Sequence, residues 1–132
     1  MAHTNGINHT GLTVRDLAQT TAFFVDVLGW NVTAQDPAYP RNTVTDGSAR
    51  LTLWQADLTG GIAAFDRRRN VGLHHIAFTV ESEARLMALA DTVAAYPGCE
   101  VEFMPEFMGT GPRKHMIFAE PGGLRVELVW GG

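Results

Sequence analysis

Cysteine is nearly absent from this chain: Cys99 is the only one in 132 residues. A single thiol excludes an intrachain disulfide framework and any zinc site built from several cysteines. Within Gly98-Cys99-Glu100-Val101 it reads as a small buried hydrophobe. No apolar run approaches the roughly 20 residues that a membrane-spanning helix needs, and no cationic region followed by an apolar stretch opens the chain. The expectation is a cytoplasmic protein with no membrane partner. No charge sign dominates either. Lys and Arg number 10 against 14 Asp and Glu, a net of −4, which gives no electrostatic basis for binding nucleic acid. The one basic run, Arg67-Arg68-Arg69, lies in a polar stretch and reads as a solvated loop. Apolar residues, by contrast, make up 45% of the chain, enough to fill the core of one compact domain.

Residues 6–14 alternate as a strand should. Asp16 reads as an N-cap, and Leu17, Ala18, Thr21, Phe24, Val25 and Leu28 recur at helical spacing until Gly29. Trp30 to Gln35 predicts a strand, and Asp36 to Arg41, with two prolines, a loop. Two further strands flank Asp46-Gly47, a strong hairpin signal. The second half repeats the plan. A strand over 73–80 is followed by Ser82 as N-cap, a helix to about Tyr96, a strand from Cys99 to Met104 and a loop from Pro105 to Pro112. Strands Lys114 to Ala119 and Leu124 to Trp130 close it around Pro121-Gly122-Gly123. Each half reads as strand, helix and three strands. The fold class expected is α+β within one domain: a module over about 6–59, a linker over about 60–72 and a module over about 73–130.

The halves are also copies at the level of single residues. Ile7-Asn8-His9-Thr10-Gly11-Leu12-Thr13-Val14 aligns with Leu73-His74-His75-Ile76-Ala77-Phe78-Thr79-Val80, and Arg50-Leu51-Thr52-Leu53 with Arg125-Val126-Glu127-Leu128. His9 is therefore equivalent to His75, and Thr52 to Glu127. Two imidazoles and a carboxylate meeting about a pseudo-twofold axis would make a metal site. Strand alternation puts His75 on one face with Leu73, Ala77 and Thr79, and His74 on the other. Glu127 lies in an otherwise apolar strand, where a charge is costly unless it is paired or bound to a cation. Its plainer reading is an ion pair with an arginine, and that of His9 a surface or hydrogen-bonded histidine.

Four stretches carry a family resemblance: Ile7-x-His9-x-x-Leu12-x-Val14-x-Asp16-Leu17; Phe23-Phe24-x-x-Val27-Leu28-Gly29-Trp30; Leu73-His74-His75-Ile76-Ala77-Phe78-x-Val80; and Glu120-Pro121-Gly122-Gly123-x-x-Val126-Glu127-Leu128. Over nearly its whole length the chain resembles the vicinal oxygen chelate superfamily, which includes glyoxalase I, methylmalonyl-CoA epimerase, extradiol dioxygenases, fosfomycin-resistance enzymes and bleomycin-binding proteins. The resemblance implies two βαβββ modules in tandem whose curled mixed sheets surround a metal-containing cavity. It implies one divalent ion per site, Fe2+ or Mn2+ ahead of Zn2+ or Ni2+, with His9, His75 and Glu127 as ligands and a small-molecule substrate chelated through vicinal oxygens. It also implies a homodimer in which His9 of one subunit stands near His75 and Glu127.

Thr52 occupies the fourth ligand position, where glyoxalase I and the epimerase usually carry Glu or Gln. Threonine is a weak ligand and, unionised, a poor base. Two His and one Glu form the set that Fe(II) oxygenases use, so an extradiol-type dioxygenase leads narrowly over a glyoxalase-like lyase or isomerase. A drug-binding protein without a metal is the non-enzymatic alternative. Gly111-Pro112-Arg113-Lys114-His115 resembles a Gly-Pro-x-x-His stretch of extradiol enzymes, and on that basis His115 is the candidate acid–base residue. An exposed histidine at a strand start is its plainer reading. Arg50, Thr52 and Trp54, sharing one strand face, are the substrate-binding candidates, and Arg50 could hold a carboxylate or phosphate bidentately.

Overall fold

The computed structural model describes residues 1–131 and divides into two compact units at Thr59 and Gly60. The first contains β1 (Thr10–Val14), α1 (Leu17–Asp26), β2 (Asn31–Asp36), β3 (Arg41–Thr45) and β4 (Arg50–Gln55). The second contains β5 (Ile76–Val80), α2 (Glu83–Ala95), β6 (Glu100–Phe107), β7 (Lys114–Ala119) and β8 (Arg125–Trp130). Each is a βαβββ module with one four-stranded mixed sheet, ordered β1-β4-β3-β2 in the first and β5-β8-β7-β6 in the second. The fold is α+β, and neither sheet closes on itself. Among the described residues no helix is long and apolar enough to cross a membrane.

Local chemistry explains the helices. Asp16 caps α1 by accepting from Gln19 N at 2.9 Å, and Ser82 caps α2 by accepting from Arg85 N at 3.1 Å, each satisfying an amide that the first turn leaves unpaired. Gly29, at φ 71°, terminates α1; Trp30 N then donates to Phe24 O at 3.0 Å and turns the chain into β2. In the first unit Phe23, Phe24, Leu12, Val14, Leu51 and Leu53 form a core between α1 and one face of the sheet. In the second, Leu86, Ala90 and Val93 of α2 pack with Met116, Phe118, Val126 and Leu128.

Because those residues occupy one side of each pleat, the alternate residues occupy the other. Met116 is fully buried on the α2 side, the opposite side of β7 from His115. The inner strand pair of each unit is parallel with the same register: Gly11 faces Thr52 across β1 and β4, and Ala77 faces Glu127 across β5 and β8.

The three largest boundary differences from the sequence expectation have physical reasons. The strands expected over 6–14 and 73–80 begin only at Thr10 and Ile76, because the parallel partners β4 and β8 supply no ladder earlier. The loop expected from Pro105 is still strand up to Phe107. β6 is the edge of its sheet, where a proline's missing N–H faces no partner, and the register shifts beside it.

Candidate functional site

In the second unit the backbone brings together the end of β5's lead-in, β7 and β8. Glu127 is 6% exposed in the middle of β8, and both carboxylate oxygens meet imidazoles. Oε1 is 2.6 Å from His115 Nδ1 and Oε2 is 3.2 Å from His75 Nε2. Glu127 faces Ile117 on β7, so His115, two residues away, shares its side of the sheet. The Phe103 ring, 4.9 Å from that of His115 between centroids, packs against it. An ionised carboxylate only accepts, so His115 donates its Nδ1–H to Glu127 and keeps the Nε2 lone pair free.

A second chain of contacts approaches from the other side. Glu102 receives two hydrogen bonds from Arg125, at 2.6 Å from Nε and 2.9 Å from Nη2. Arg125 Nη1 lies 3.3 Å from His74 Nδ1, which lies 2.7 Å from His75 Nδ1. The Arg125 hydrogen bond, chief among several causes, holds the Glu102 carboxyl below its ordinary range. Lost water contact, then the Arg125 charge, keeps the His74 imidazole below its own.

The first unit presents a different surface. An open groove of about 610 Å³ on the side of the sheet away from α1 is lined by Asn8, His9, Arg41, Thr43, Arg50 and Thr52, among others. His9 is exposed, with Asn8 Oδ1 at 2.8 Å from its Nδ1. Thr52 is 8% exposed and accepts from Trp54 Nε1 at 2.9 Å. Gly11 permits this pair: a Cβ there would lie 3.2 Å from Thr52 Oγ1. Trp54 packs edge-on to Tyr39, with the Arg41 guanidinium 5.3 Å from its ring centroid. Of the substrate-binding candidates, Arg50 and Thr52 line the groove, whereas Trp54 supports Arg41 beside it.

The structure thus brings His75, His115 and Glu127 together and gives Glu127 two histidine partners in place of the arginine that its plainer reading expected. Among the described residues, no group of three or more His, Cys, Asp or Glu side chains stands ready to hold a metal ion by itself. The donor chemistry nevertheless suits a cation between His75 and Glu127, since an imidazole lone pair and a carboxylate at 3.2 Å repel unless a proton or cation lies between them.

Three participants escaped the sequence reading: His74, Glu102 and Arg125. Strand alternation puts His74 on the face away from His75, but His74 precedes β5, where that alternation does not apply. Glu102 is the unpaired extra residue where β6 passes from Val101, opposite Phe118, to Phe103, opposite Ile117. A bulge re-aims a side chain in a way that a two-residue period cannot foresee.

Residues 6–128 match the model of the Glyoxalase/Bleomycin resistance protein/Dioxygenase superfamily. A 2-epi-5-epi-valiolone epimerase from an Actinomyces species is 30% identical over 93% of this chain and 78% of its own length. Among solved structures, a glyoxylase/bleomycin resistance protein/dioxygenase domain from Frankia sp. EAN1pec superposes with a TM-score of 0.82 at 24% identity, covering 98% of this chain and 93% of that one. The fosfomycin resistance protein FosX from Listeria monocytogenes does so with a TM-score of 0.76 at 21% identity, covering 98% and 95%. These two likenesses establish the fold.

Proposed function

Because the chain belongs to the Glyoxalase/Bleomycin resistance protein/Dioxygenase superfamily, we propose that it is a divalent-metal-dependent enzyme whose small-molecule substrate is held through neighbouring oxygens and undergoes proton transfer at carbon. The observation that carries this reading is the convergence of His75 and His115 on one buried carboxylate, Glu127. His75 and Glu127 are the proposed ligands from the second module. His9, their counterpart by the repeat, is the proposed ligand from the first. The ion would polarise substrate oxygens as a Lewis acid and acidify the neighbouring C–H.

The rest falls to the chain's own residues. His115 is the proposed acid–base residue: Glu127 accepts from its Nδ1 at 2.6 Å and fixes its tautomer, leaving Nε2 to take a proton from the substrate and return it. Phe103 limits the tilt of the ring. Arg50, Arg41 and Thr52 would orient polar groups of the substrate from the groove of the first unit. The epimerase relative favours this chemistry over the dioxygenase expectation. The histidine and carboxylate set favours the second reading, an extradiol-type dioxygenase on Fe(II). The family resemblance extends the proposal to a homodimer, for which sedimentation velocity should give one species at twice 14.4 kDa.

Metal analysis of purified protein, followed by assay in D2O with 2-epi-5-epi-valiolone, tests the reading. One bound divalent ion, lost in His75→Ala and in Glu127→Ala, is expected. Deuterium should enter carbon-bound positions of the substrate. His115→Gln should keep the metal and slow exchange about 10²- to 10⁴-fold. Bound iron with oxygen-dependent catechol cleavage would move the assignment to the dioxygenase reading. Failure to bind Fe2+, Mn2+, Ni2+ or Zn2+ would leave a small-molecule binding protein instead.

A further inference from the structure

The two modules share a backbone but not a charge balance. In the second, the site face carries two carboxylates, Glu127 in the middle of β8 and Glu102 at the β6 bulge. Register identifies their counterparts in the first. Thr43 faces Thr52 as Ile117 faces Glu127, so a threonine stands in place of that carboxylate. The bulge of β2 makes Thr33 the extra residue between Val32 and Ala34, as the bulge of β6 does Glu102, so a threonine stands in place of the other. The cations are not lost with them. Arg50, opposite Thr45, matches Arg125, opposite Ala119; Arg41, opposite Trp54, matches His115, opposite Val129. Ala34 matches Phe103, whose ring packs on His115, and a methyl group in place of that ring leaves this face open as the groove.

We infer that the groove of the first unit is a binding site for a phosphate group, held by Arg41 and Arg50. That the phosphate belongs to the substrate rests on the function proposed above. That the groove binds it does not.

Both guanidiniums lack an acidic partner. Among the described residues, none of those lining the groove is Asp or Glu, and no ion pair holds Arg41 or Arg50. Asp36 faces Arg41 in register but accepts from Ala38 N at 2.9 Å, and Asp46 accepts from Ser48 N and Ala49 N. Arg125 commits its fork to Glu102 at 2.6 and 2.9 Å, whereas Arg50 is exposed with its fork open to the groove.

Arg41 is held ready. Its guanidinium lies 5.3 Å from the Trp54 ring centroid, and Trp54 is fixed by Tyr39 at its edge and by its 2.9 Å hydrogen bond to Thr52 Oγ1. Such preorganisation lowers the cost of ordering on binding. Thr43 and Thr52 are 6% and 8% exposed. Each hydroxyl accepts, Thr43 from Arg41 Nη1 at 3.4 Å and Thr52 from Trp54 Nε1, so its own proton remains for an acceptor in the groove. A carboxylate offers two oxygens and a phosphate three, with nearly twice the charge. Two forked guanidiniums and two hydroxyl protons on one face suit the phosphate.

Titration of the purified protein with inorganic phosphate at about pH 8, with and without EDTA, followed by calorimetry and nitrogen-15 spectra, tests this. One phosphate per chain is expected in both conditions, shifting the Nε–H signals of Arg41 and Arg50. Arg41→Gln and Arg50→Gln should each weaken binding about 10-fold. Arg41→Lys should retain only part of the affinity, because lysine keeps the charge but neither the fork nor the stack. Thr33→Glu, which sets a carboxylate where Glu102 clamps Arg125, should abolish binding. Arg68→Gln, at an exposed arginine outside the groove, should bind like wild type. Binding that disappears with EDTA would assign the phosphate to a metal ion and overturn the inference. So would shifts spread over every exposed arginine, a loss in Arg68→Gln equal to that in Arg41→Gln, or acetate binding as tightly as phosphate. Phosphate binding in a protein that takes up no divalent ion would uphold the groove and refute the metal enzyme; metal uptake without phosphate binding would do the reverse.

Discussion

A carboxylate 6% exposed between Val126 and Leu128 survives only because each oxygen has a partner. Glu127→Gln keeps an oxygen for His115 and keeps the volume. Its unfolding free energy in urea should therefore fall by only about 1 kcal/mol, while titration with Zn2+ should show lost affinity. Cys99 offers a separate check. Burial first and the Glu120 charge second push its thiol up to about 11. It should react slowly with an aromatic disulfide reagent at neutral pH, with a rate that climbs until pH is about 11; a plateau at the ordinary 9.0 would contradict this.

Both helices depend on one side chain each at their starts. Asp16→Ala and Ser82→Ala should each lower stability by about 0.5–2 kcal/mol in chemical denaturation, with no change in spectroscopic helix type. These caps were legible in the sequence, as were both helices and the hairpin at Asp46-Gly47, because all depend on neighbours within a few residues. The equivalence of Thr52 and Glu127 was legible through the repeat, and the registers of β1/β4 and β5/β8 reproduce it, with His9 and His75 each one residue before its strand. What stayed hidden depends on distant or irregular geometry. Pro105 reads as a loop until its strand is known to be an edge, and Arg125 reads as a copy of Arg50 until the bulge delivers Glu102. His74 reads as facing away until the strand is seen to start two residues later.

Across the molecule, stability should depend on acid through the Glu102–Arg125 pair. The folded-state pKa of Glu102 is depressed, chiefly by the Arg125 hydrogen bond. Its contribution is therefore full above the ordinary glutamate value of 4.5 and disappears as pH falls through the depressed one. Thermal melts of wild type and Glu102→Gln should differ by a constant amount at neutral pH and converge in acid; a constant gap throughout would contradict the pairing. The shared register of the two inner strand pairs has a different consequence. A chain built twice on one backbone carries its own internal standard. The address opposite Gly11 holds threonine and the address opposite Ala77 holds glutamate, so divergence between the copies has been written in side chains while the scaffold stayed fixed. A Thr52→Glu substitution would place a second carboxylate at the matching address of the first module, with the chain's own other half as the template.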